Sequence, residues 1–150
     1  SIPVIAAGGI ATGRQMLAAM VLGAAGVQVG TRFVASTEAS SHPAFKEAVV
    51  RAAEGDTQLA LKKLTPVRLL KNDFFKQVQE AEARGADEAE LQGLLGRARA
   101  KLGMYEGNLS EGELEIGQVS ALVHEILPAE DILKKIYIDF LQALNNPIIK

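Results

Sequence analysis

The chain opens with an apolar run that ends in two glycines. Residues 2–7 are almost wholly apolar, which is typical of a parallel strand covered on both faces. Gly8 and Gly9 follow this run, and a backbone without Cβ atoms can turn sharply there and approach a ligand closely. The pattern predicts a buried strand that ends in a tight glycine turn.

A helix is predicted after this turn. Thr12 is suited to the N-cap position, and Gln15, three residues later, can complete a capping box. Gly23 supplies the stop. Apolar residues at helical spacing give the helix one apolar face. They are Leu17, Met20, Val21 and Ala24.

A second strand and a second glycine turn complete the unit. Val27 and Val29 alternate with Gln28, and Gly30 and Thr31 follow. Two parallel strands joined by one helix place both turns at the carboxyl edge of the sheet, where α/β proteins bind ligands. In (β/α)8 barrels the last two loops commonly bind phosphate through backbone N–H groups and a short helix N-terminus. The turns therefore predict a phosphate site, to which the Thr31 hydroxyl can contribute, unless the glycines serve only as tight turns.

Helical patterns predominate in the rest of the chain. Pro43 is a favoured first residue for a predicted helix over residues 44–53. His42 is expected to cap that helix rather than to act in catalysis, because no second histidine lies near it in the sequence. Residues 57–61 and 66–70 are short extended candidates.

Two more helices are predicted in the middle of the chain. The first covers residues 73–84 and ends at Gly85. Asp87 opens the second through a capping box with Glu90, and Gly103 closes it. The buried stripe of the second helix comprises Leu91, Leu94, Leu95, Ala98 and Leu102.

An acidic segment and a final helix complete the pattern. The acidic segment, residues 104–115, lacks the fixed spacing of a calcium loop, so we expect a solvated loop and no metal site. Pro128 starts the final helix, whose apolar face must pack on a barrel wall or on a second subunit. Tyr137 and His124 are expected in the core and at its edge, respectively. The apolar face comprises Ile132, Leu133, Ile136, Phe140 and Leu144.

Composition limits the classes of protein that fit. The chain has 150 residues, 48% of them hydrophobic, and a net charge of −2, so neither nucleic acid nor a membrane surface is an expected partner. The absence of cysteine excludes disulfides and thiolate chemistry and agrees with a cytoplasmic location. The sequence contains no G-x-S-x-G, H-E-x-x-H, P-loop or G-x-G-x-x-G motif, and no convincing general base.

Three segments resemble the nitronate monooxygenase (2-nitropropane dioxygenase) family, which includes flavin-dependent enoyl-(acyl-carrier-protein) reductases. They are Val4-Ile-Ala-Ala-Gly-Gly-Ile10, Leu22-Gly-Ala-Ala-Gly-Val-Gln-Val-Gly-Thr-Arg-Phe33 and His42-Pro-Ala-Phe-Lys46. The resemblance is weaker but recognisable over residues 68–72 and 115–122.

The resemblance implies an α/β fold that is the C-terminal part of a (β/α)8 TIM barrel. Residues 1–36 then supply the last two βα units and the phosphate-binding loops. Residues 37–115 form a mainly helical cap, and residues 116–150 pack back on the barrel. Because a complete barrel needs roughly 250 residues, we expect the chain to be part of a longer polypeptide.

The resemblance also implies FMN as cofactor, with its phosphate at Gly8, Gly9, Gln28, Val29, Gly30 and Thr31. Gln118 and Tyr105 are further candidates for lining the flavin pocket, although Gln118 is equally suited to cap the helix that follows it. No catalytic residue is expected in this chain, because the family's catalytic histidine lies upstream, and we expect the chain alone to be inactive.

The implied function is reduction of 2-enoyl thioesters in fatty acid synthesis, with NADH or NADPH as reductant. The substrate would be a small molecule or bound to acyl carrier protein, and the enzyme a homodimer. Oxidation of nitronates with O2 is the alternative. A non-catalytic fragment and a phosphate-binding barrel without flavin also remain open.

Overall fold

The computed structural model describes residues 2–146 and begins with the predicted strand–helix–strand unit. Strand β1 (Ile5–Ala7) pairs in parallel with β2 (Gly26–Gln28), with Ile5 opposite Gly26 and Ala7 opposite Gln28. Helix α1 (Gly13–Val21) connects the two strands. The predicted unit is therefore confirmed, although both strands are only three residues long.

Local side-chain chemistry sets the two ends of α1. The Thr12 hydroxyl accepts a hydrogen bond from the Gln15 N–H, and the Gln15 side chain accepts one from the Thr12 N–H, so the capping box is complete. Gly23 follows the helix with φ of 104°, in the left-handed region that favours glycine. Both predicted helix boundaries are confirmed.

The expected burial of the first strand is not observed. Ile2 and Val4 precede β1 and are 89% and 66% exposed, and Ile5 within it is 53% exposed. In the described part of the chain β1 pairs with β2 alone, so no further strand covers this edge. Val21, predicted on the apolar face of α1, is exposed as well.

Two helices follow β2, a single-turn helix α2 (Thr31–Val34) and α3 (Pro43–Arg51). His42 Nδ1 accepts a hydrogen bond from the Ala44 N–H at 3.2 Å, which confirms its capping role. Lys46 on α3 is buried, and its Nζ donates to the carbonyl oxygens of Ser36 and Thr37. This lysine fastens the loop after α2 to α3.

The two short extended candidates pair as an antiparallel hairpin. Strand β3 (Thr57–Ala60) lies against β4 (Val67–Leu70), with Thr57 opposite Leu70. Residues 114–116 lie on the other side of β4, where the Leu70 N–H donates to the Leu114 carbonyl and the Ile116 N–H to the Arg68 carbonyl. The end of the acidic segment thus joins the hairpin through an isolated antiparallel bridge between Leu69 and Glu115.

Helix α4 (Asp73–Ala83) is confirmed, but the second helix of this region is shorter than predicted. Helix α5 (Glu88–Leu95) ends at Gly96, which has φ of 63°, and a π-helical turn (Lys101–Tyr105) contains Gly103. The Arg99 guanidinium donates to the carbonyls of Leu94 and Leu95. Those acceptors would serve N–H groups of the next turn in a continued helix, so Arg99 terminates α5.

The Asp87 capping box is also only half formed. The Asp87 side chain accepts from the Glu90 N–H, as predicted, but the Glu90 carboxylate forms a 2.8 Å ion pair with Arg84.

The last helix, α6 (Ala129–Asn145), packs along α1. The helices are so close that a Cβ atom on Gly13 would overlap backbone atoms of Ile136 and Phe140. Ile132 and Ile136 are buried at this contact. A short 3-10 helix (Gln118–Leu122) precedes α6.

Four side chains near the C-terminus are more exposed than predicted. Leu133 and Leu144 on α6 are 62% and 52% exposed, and Tyr137 is 57% exposed, because all three are rotated away from the face that Ile132 and Ile136 turn toward α1. His124 is exposed too. The core and core-edge assignments of Tyr137 and His124 are therefore wrong.

Most buried apolar side chains form two clusters. One joins α3 to residues 114–123, and the other joins the β3–β4 hairpin to α4. The first comprises Ala35, Phe45, Val49, Leu114, Ile116 and Val123. The second comprises Ala60, Leu61, Leu69, Phe74, Phe75 and Val78. Within residues 2–146, no helix has both the length and the apolarity of a membrane span.

Candidate functional site

The two glycine turns lie at the same edge of the β1–β2 pair. Gly8 and Gly9 directly follow β1, with φ of 84° and 71°. Gly30 follows β2 after one intervening residue and precedes the first turn of α2. Because the strands are parallel with Ala7 opposite Gln28, their carboxyl ends and both turns share one edge.

The backbone at these turns is open to a ligand. A Cβ atom built on Gly8, Gly9 or Gly30 meets no other atom within 4 Å. The N–H groups of Thr31 and Arg32 belong to the first turn of α2 and therefore lack intrahelical acceptors. Backbone N–H donors beside a space without side chains are the chemistry that a phosphate requires.

Thr31 connects the second turn to the segment that begins the 3-10 helix. Its Oγ1 accepts a hydrogen bond from the Gly117 N–H at 3.2 Å, which leaves the hydroxyl proton available for another acceptor. A Cβ atom on Gly117 would lie 2.6 Å from this oxygen, so only glycine allows the two segments to approach this closely.

Two adjoining hollows border the turns. The Gly9 hollow, of about 580 Å³, is lined by Gly9, Gln15, Glu54, Gly55, Thr57, Arg68, Gln118, Val119, Ala121 and Leu122. The Gly30 hollow, of about 360 Å³, is lined by Gly30, Thr31, Val34, Val67, Arg68, Glu115, Ile116 and Gly117. Arg68 borders both hollows and is the one residue that their linings share within residues 2–146.

The other predicted pocket residues differ in their positions. Gln118 lines the Gly9 hollow and makes no capping hydrogen bond to the 3-10 helix, so the capping alternative is wrong. Gln28 and Val29 adjoin the second turn but line neither hollow. Tyr105 lies on the surface at the end of the π-helical turn, outside both hollows.

Arg68 is a candidate functional residue that the sequence patterns did not reveal. It lies on β4, and its Nη1 donates to the Thr57 carbonyl at 3.2 Å and to the Thr57 hydroxyl at 3.3 Å. The sequence marked Arg68 only as the first residue of segment 68–72, which resembles the family. Pairing of β3 with β4 then directs it toward the glycine turns, which no local pattern could predict.

The acidic segment is not a fully solvated loop, because Glu113 is buried. Burial is the main cause that raises the pKa of Glu113 from 4.5 to about 6, and the negative charge of Glu115 adds to it, whereas Arg99 opposes it. Within residues 2–146 no group of three or more His, Cys, Asp or Glu side chains is arranged to hold a metal ion.

The β1–α1–β2 unit, with ligand-accessible turns at its carboxyl edge, places the chain among the parallel α/β proteins. Comparisons with known proteins identify the family within this class. The sequence profile of the nitronate monooxygenase family matches residues 1–139, so the chain belongs to this family. The family resemblance noted in the sequence is thereby confirmed.

Individual relatives agree with this membership. A probable nitronate monooxygenase of Staphylococcus saprophyticus is 37% identical over 128 residues, covering 84% of the chain and 36% of the relative. FabK from Thermotoga maritima matches 97% of the chain at a TM-score of 0.89 and 40% identity, and the match covers 46% of FabK. A nitroalkane oxidase from Streptomyces ansochromogenes gives a TM-score of 0.76 at 28% identity, covering 97% of the chain and 41% of the oxidase.

The nitronate monooxygenase and the nitroalkane oxidase bear the names of oxidoreductases, so the expected enzyme family is confirmed. The two solved structures share the α/β fold of the chain, which confirms the predicted α/β class. The chain spans about a third of the Staphylococcus relative and less than half of either solved structure.

Proposed function

We propose that the complete protein is an FMN-dependent oxidoreductase and that this chain holds the flavin phosphate. The observation that carries the proposal is the pair of glycine turns at one sheet edge, with Thr31 beside them. Positive φ angles at Gly8 and Gly9, open space at Gly30 and the first-turn N–H groups of α2 fit a phosphate group. When bound, FMN supplies the redox chemistry.

The residues of the turns then have distinct tasks. Backbone N–H groups at Gly8, Gly9, Gly30 and Thr31 donate hydrogen bonds to the phosphate, and the Thr31 hydroxyl adds one donor. Each charge-assisted hydrogen bond contributes about 1.5–3 kcal/mol. Gln28 and Val29 orient the second turn from the end of β2, and Gln118 borders the flavin from the 3-10 helix.

In this proposal β1 and β2 belong to the last two βα units of a (β/α)8 barrel. Residues 37–115 form the cap over the barrel mouth. Of the predicted C-terminal segment 116–150, residues 116–146 pack back on the wall, and the rest lies outside the described residues. The contact between α6 and α1 and the return of Gln118 to the Gly9 hollow support this division. The catalytic base is supplied from outside this chain, which is inactive alone, and the complete enzyme is a cytoplasmic homodimer.

The proposed reaction is reduction of a 2-enoyl thioester by NADH or NADPH, with acyl carrier protein as a carrier of the substrate. Residues 31–35 and 42–47, which resemble the reductases of the family, favour this reaction. Oxidation of a nitronate with O2 is the second candidate, and the name of the Staphylococcus relative favours it.

An anaerobic absorbance spectrum of the complete gene product, before and after addition of NADPH or NADH, tests the proposal. Rapid bleaching of a bound flavin is the result expected for the reductase. A bound flavin that stays oxidised would favour the nitronate reaction. A protein that binds no FMN would contradict both and leave a phosphate-binding barrel without flavin or a non-catalytic protein.

A further inference from the structure

Arg68 lines both hollows, and hydrogen bonds to Thr57 hold its guanidinium in a defined orientation. Its Nη1 donates hydrogen bonds to the carbonyl and the hydroxyl of Thr57 on the neighbouring strand. Within residues 2–146 its Nε and Nη2 groups have no hydrogen-bond acceptor. Arg68 is half-buried and lines the Gly9 hollow and the Gly30 hollow alike.

The charge of Arg68 is not balanced by a nearby carboxylate. Among residues 2–146, no Asp or Glu oxygen lies within 4.0 Å of its guanidinium, whereas Arg32, Arg84 and Arg99 each have such a partner. A half-buried guanidinium with unused donors is suited to an anion, because its planar fork can donate two parallel hydrogen bonds.

The other charges around the two hollows make this arginine decisive for anion binding. Glu54 lines the Gly9 hollow, and Glu115 lines the Gly30 hollow. Arg68 is the one cationic residue in the lining of either hollow within residues 2–146. Without Arg68 the charged groups there would all be negative and would repel a phosphate.

We propose that Arg68 is a direct ligand of the phosphate bound between the two glycine turns. The backbone donors of the turns contact the anion from the sheet edge, and Arg68 contacts it from the β3–β4 hairpin. This assignment rests on the proposed function and adds to it the residue that supplies the positive charge.

The test compares FMN with riboflavin, which has the same ring system but no phosphate. Dissociation constants of both flavins for the complete gene product, with the bound flavin removed, are measured by fluorescence quenching. Arg68→Gln is expected to reduce the preference for FMN over riboflavin by about 10- to 100-fold, the effect of one charge-assisted contact. Riboflavin affinity should stay within about twofold, because its binding uses no phosphate contact.

Three variants make the result interpretable. Arg84→Gln, which removes an exposed arginine from a surface ion pair, is expected to leave the preference unchanged. Arg68→Lys keeps the charge but lacks the planar pair of guanidinium donors, so the preference for FMN should fall by about 3- to 10-fold. If Arg68→Gln does not fold, this variant tests the Arg68 assignment in its place. Glu115→Gln removes a repelling charge and should increase the preference by about 2- to 5-fold.

The outcomes separate this assignment from the proposed function. An unchanged preference in Arg68→Gln and Arg68→Lys, together with FMN binding by the unmodified protein, would overturn the Arg68 assignment and leave the phosphate site standing. If Arg68→Gln weakens the binding of FMN and of riboflavin equally, the assignment is also overturned. The arginine would then stabilise the fold or contact the flavin ring. A failure of the unmodified protein to bind FMN would overturn both proposals.

Discussion

Gly117 donates its N–H to Thr31 Oγ1 across 3.2 Å, and this hydrogen bond joins the second glycine turn to the segment leading into the 3-10 helix. The contact joins residues 86 positions apart in the sequence. It fixes the hydroxyl oxygen as an acceptor and thereby directs its proton elsewhere. Thr31 thus contributes both to the packing of the chain and to the proposed binding of phosphate.

The Thr31 hydroxyl should matter for both stability and flavin binding. Thr31→Val leaves the Gly117 N–H without its acceptor and removes one donor from the phosphate, so the free energy of unfolding should fall by about 1 kcal/mol. FMN should bind about 5- to 10-fold more weakly. Thr31→Ser should restore both, and a Thr31→Val protein with unchanged FMN affinity would exclude the hydroxyl as a ligand.

The close approach at Gly117 predicts a strong coupling between two substitutions. Gly117→Ala places a Cβ atom 2.6 Å from Thr31 Oγ1, and the displacement this requires should destabilise the protein by about 1–3 kcal/mol. In the Thr31→Ala background the oxygen is absent, and most of this loss should disappear. A double-mutant cycle based on thermal unfolding measures the coupling, and strictly additive losses would show that the contact is not tight.

The buried carboxyl of Glu113 predicts a stability difference that depends on pH. Its pKa rises from 4.5 to about 6 on folding, so the protonated form is favoured in the folded state. Below pH 4.5 both states are protonated and no penalty exists; the penalty grows as the pH rises and is complete above pH 6, at about 2 kcal/mol or less. Glu113→Gln should therefore raise the melting temperature at pH 8 much more than at pH 4.

Glu111→Gln is the matched control for this measurement, because it alters a more exposed carboxylate of the same acidic segment. Equal effects of Glu113→Gln at pH 8 and pH 4 would contradict the raised pKa.

His42 should act on stability and leave catalysis unaffected. His42→Ala removes the acceptor for the Ala44 N–H and should lower the free energy of unfolding by about 1 kcal/mol, the usual effect of losing an N-cap. His42→Asn should recover part of this loss, since an amide oxygen can cap the same helix. Turnover by the complete gene product should remain near that of the unmodified protein, and a large loss in a folded variant would require a catalytic role.

Local signals in the sequence predict the elements well where a few neighbouring residues decide them. Thr12 and Gln15 define the start of α1, and Gly23 defines its end. The end of helix α5 was missed although Gly96, with φ of 63°, is a local stop signal in the sequence. The predicted apolar stripe continued past this glycine, whereas in the structure the guanidinium of Arg99, just beyond it, binds the carbonyls of Leu94 and Leu95.

The candidate site shows where local signals end. The glycine turns are visible in the sequence because backbone freedom is a property of single residues. Arg68 is not, because its position depends on the pairing of two strands of four residues each. Burial of Glu113 likewise depends on residues 114–116 joining the hairpin, which turns one side of an acidic segment inward.

Gly30→Val tests the central claim, that the glycine turns hold the FMN phosphate, most directly. Gly30 has φ of −106°, and a Cβ atom there meets no other atom of the chain within 4 Å, so the valine side chain is expected to project into the space proposed for the ligand. Gly93→Val, at another open glycine on α5, is the matched control. The measurement is the FMN dissociation constant of the complete gene product. The account predicts a loss of about tenfold or more for Gly30→Val alone; equal affinity in both variants would contradict it.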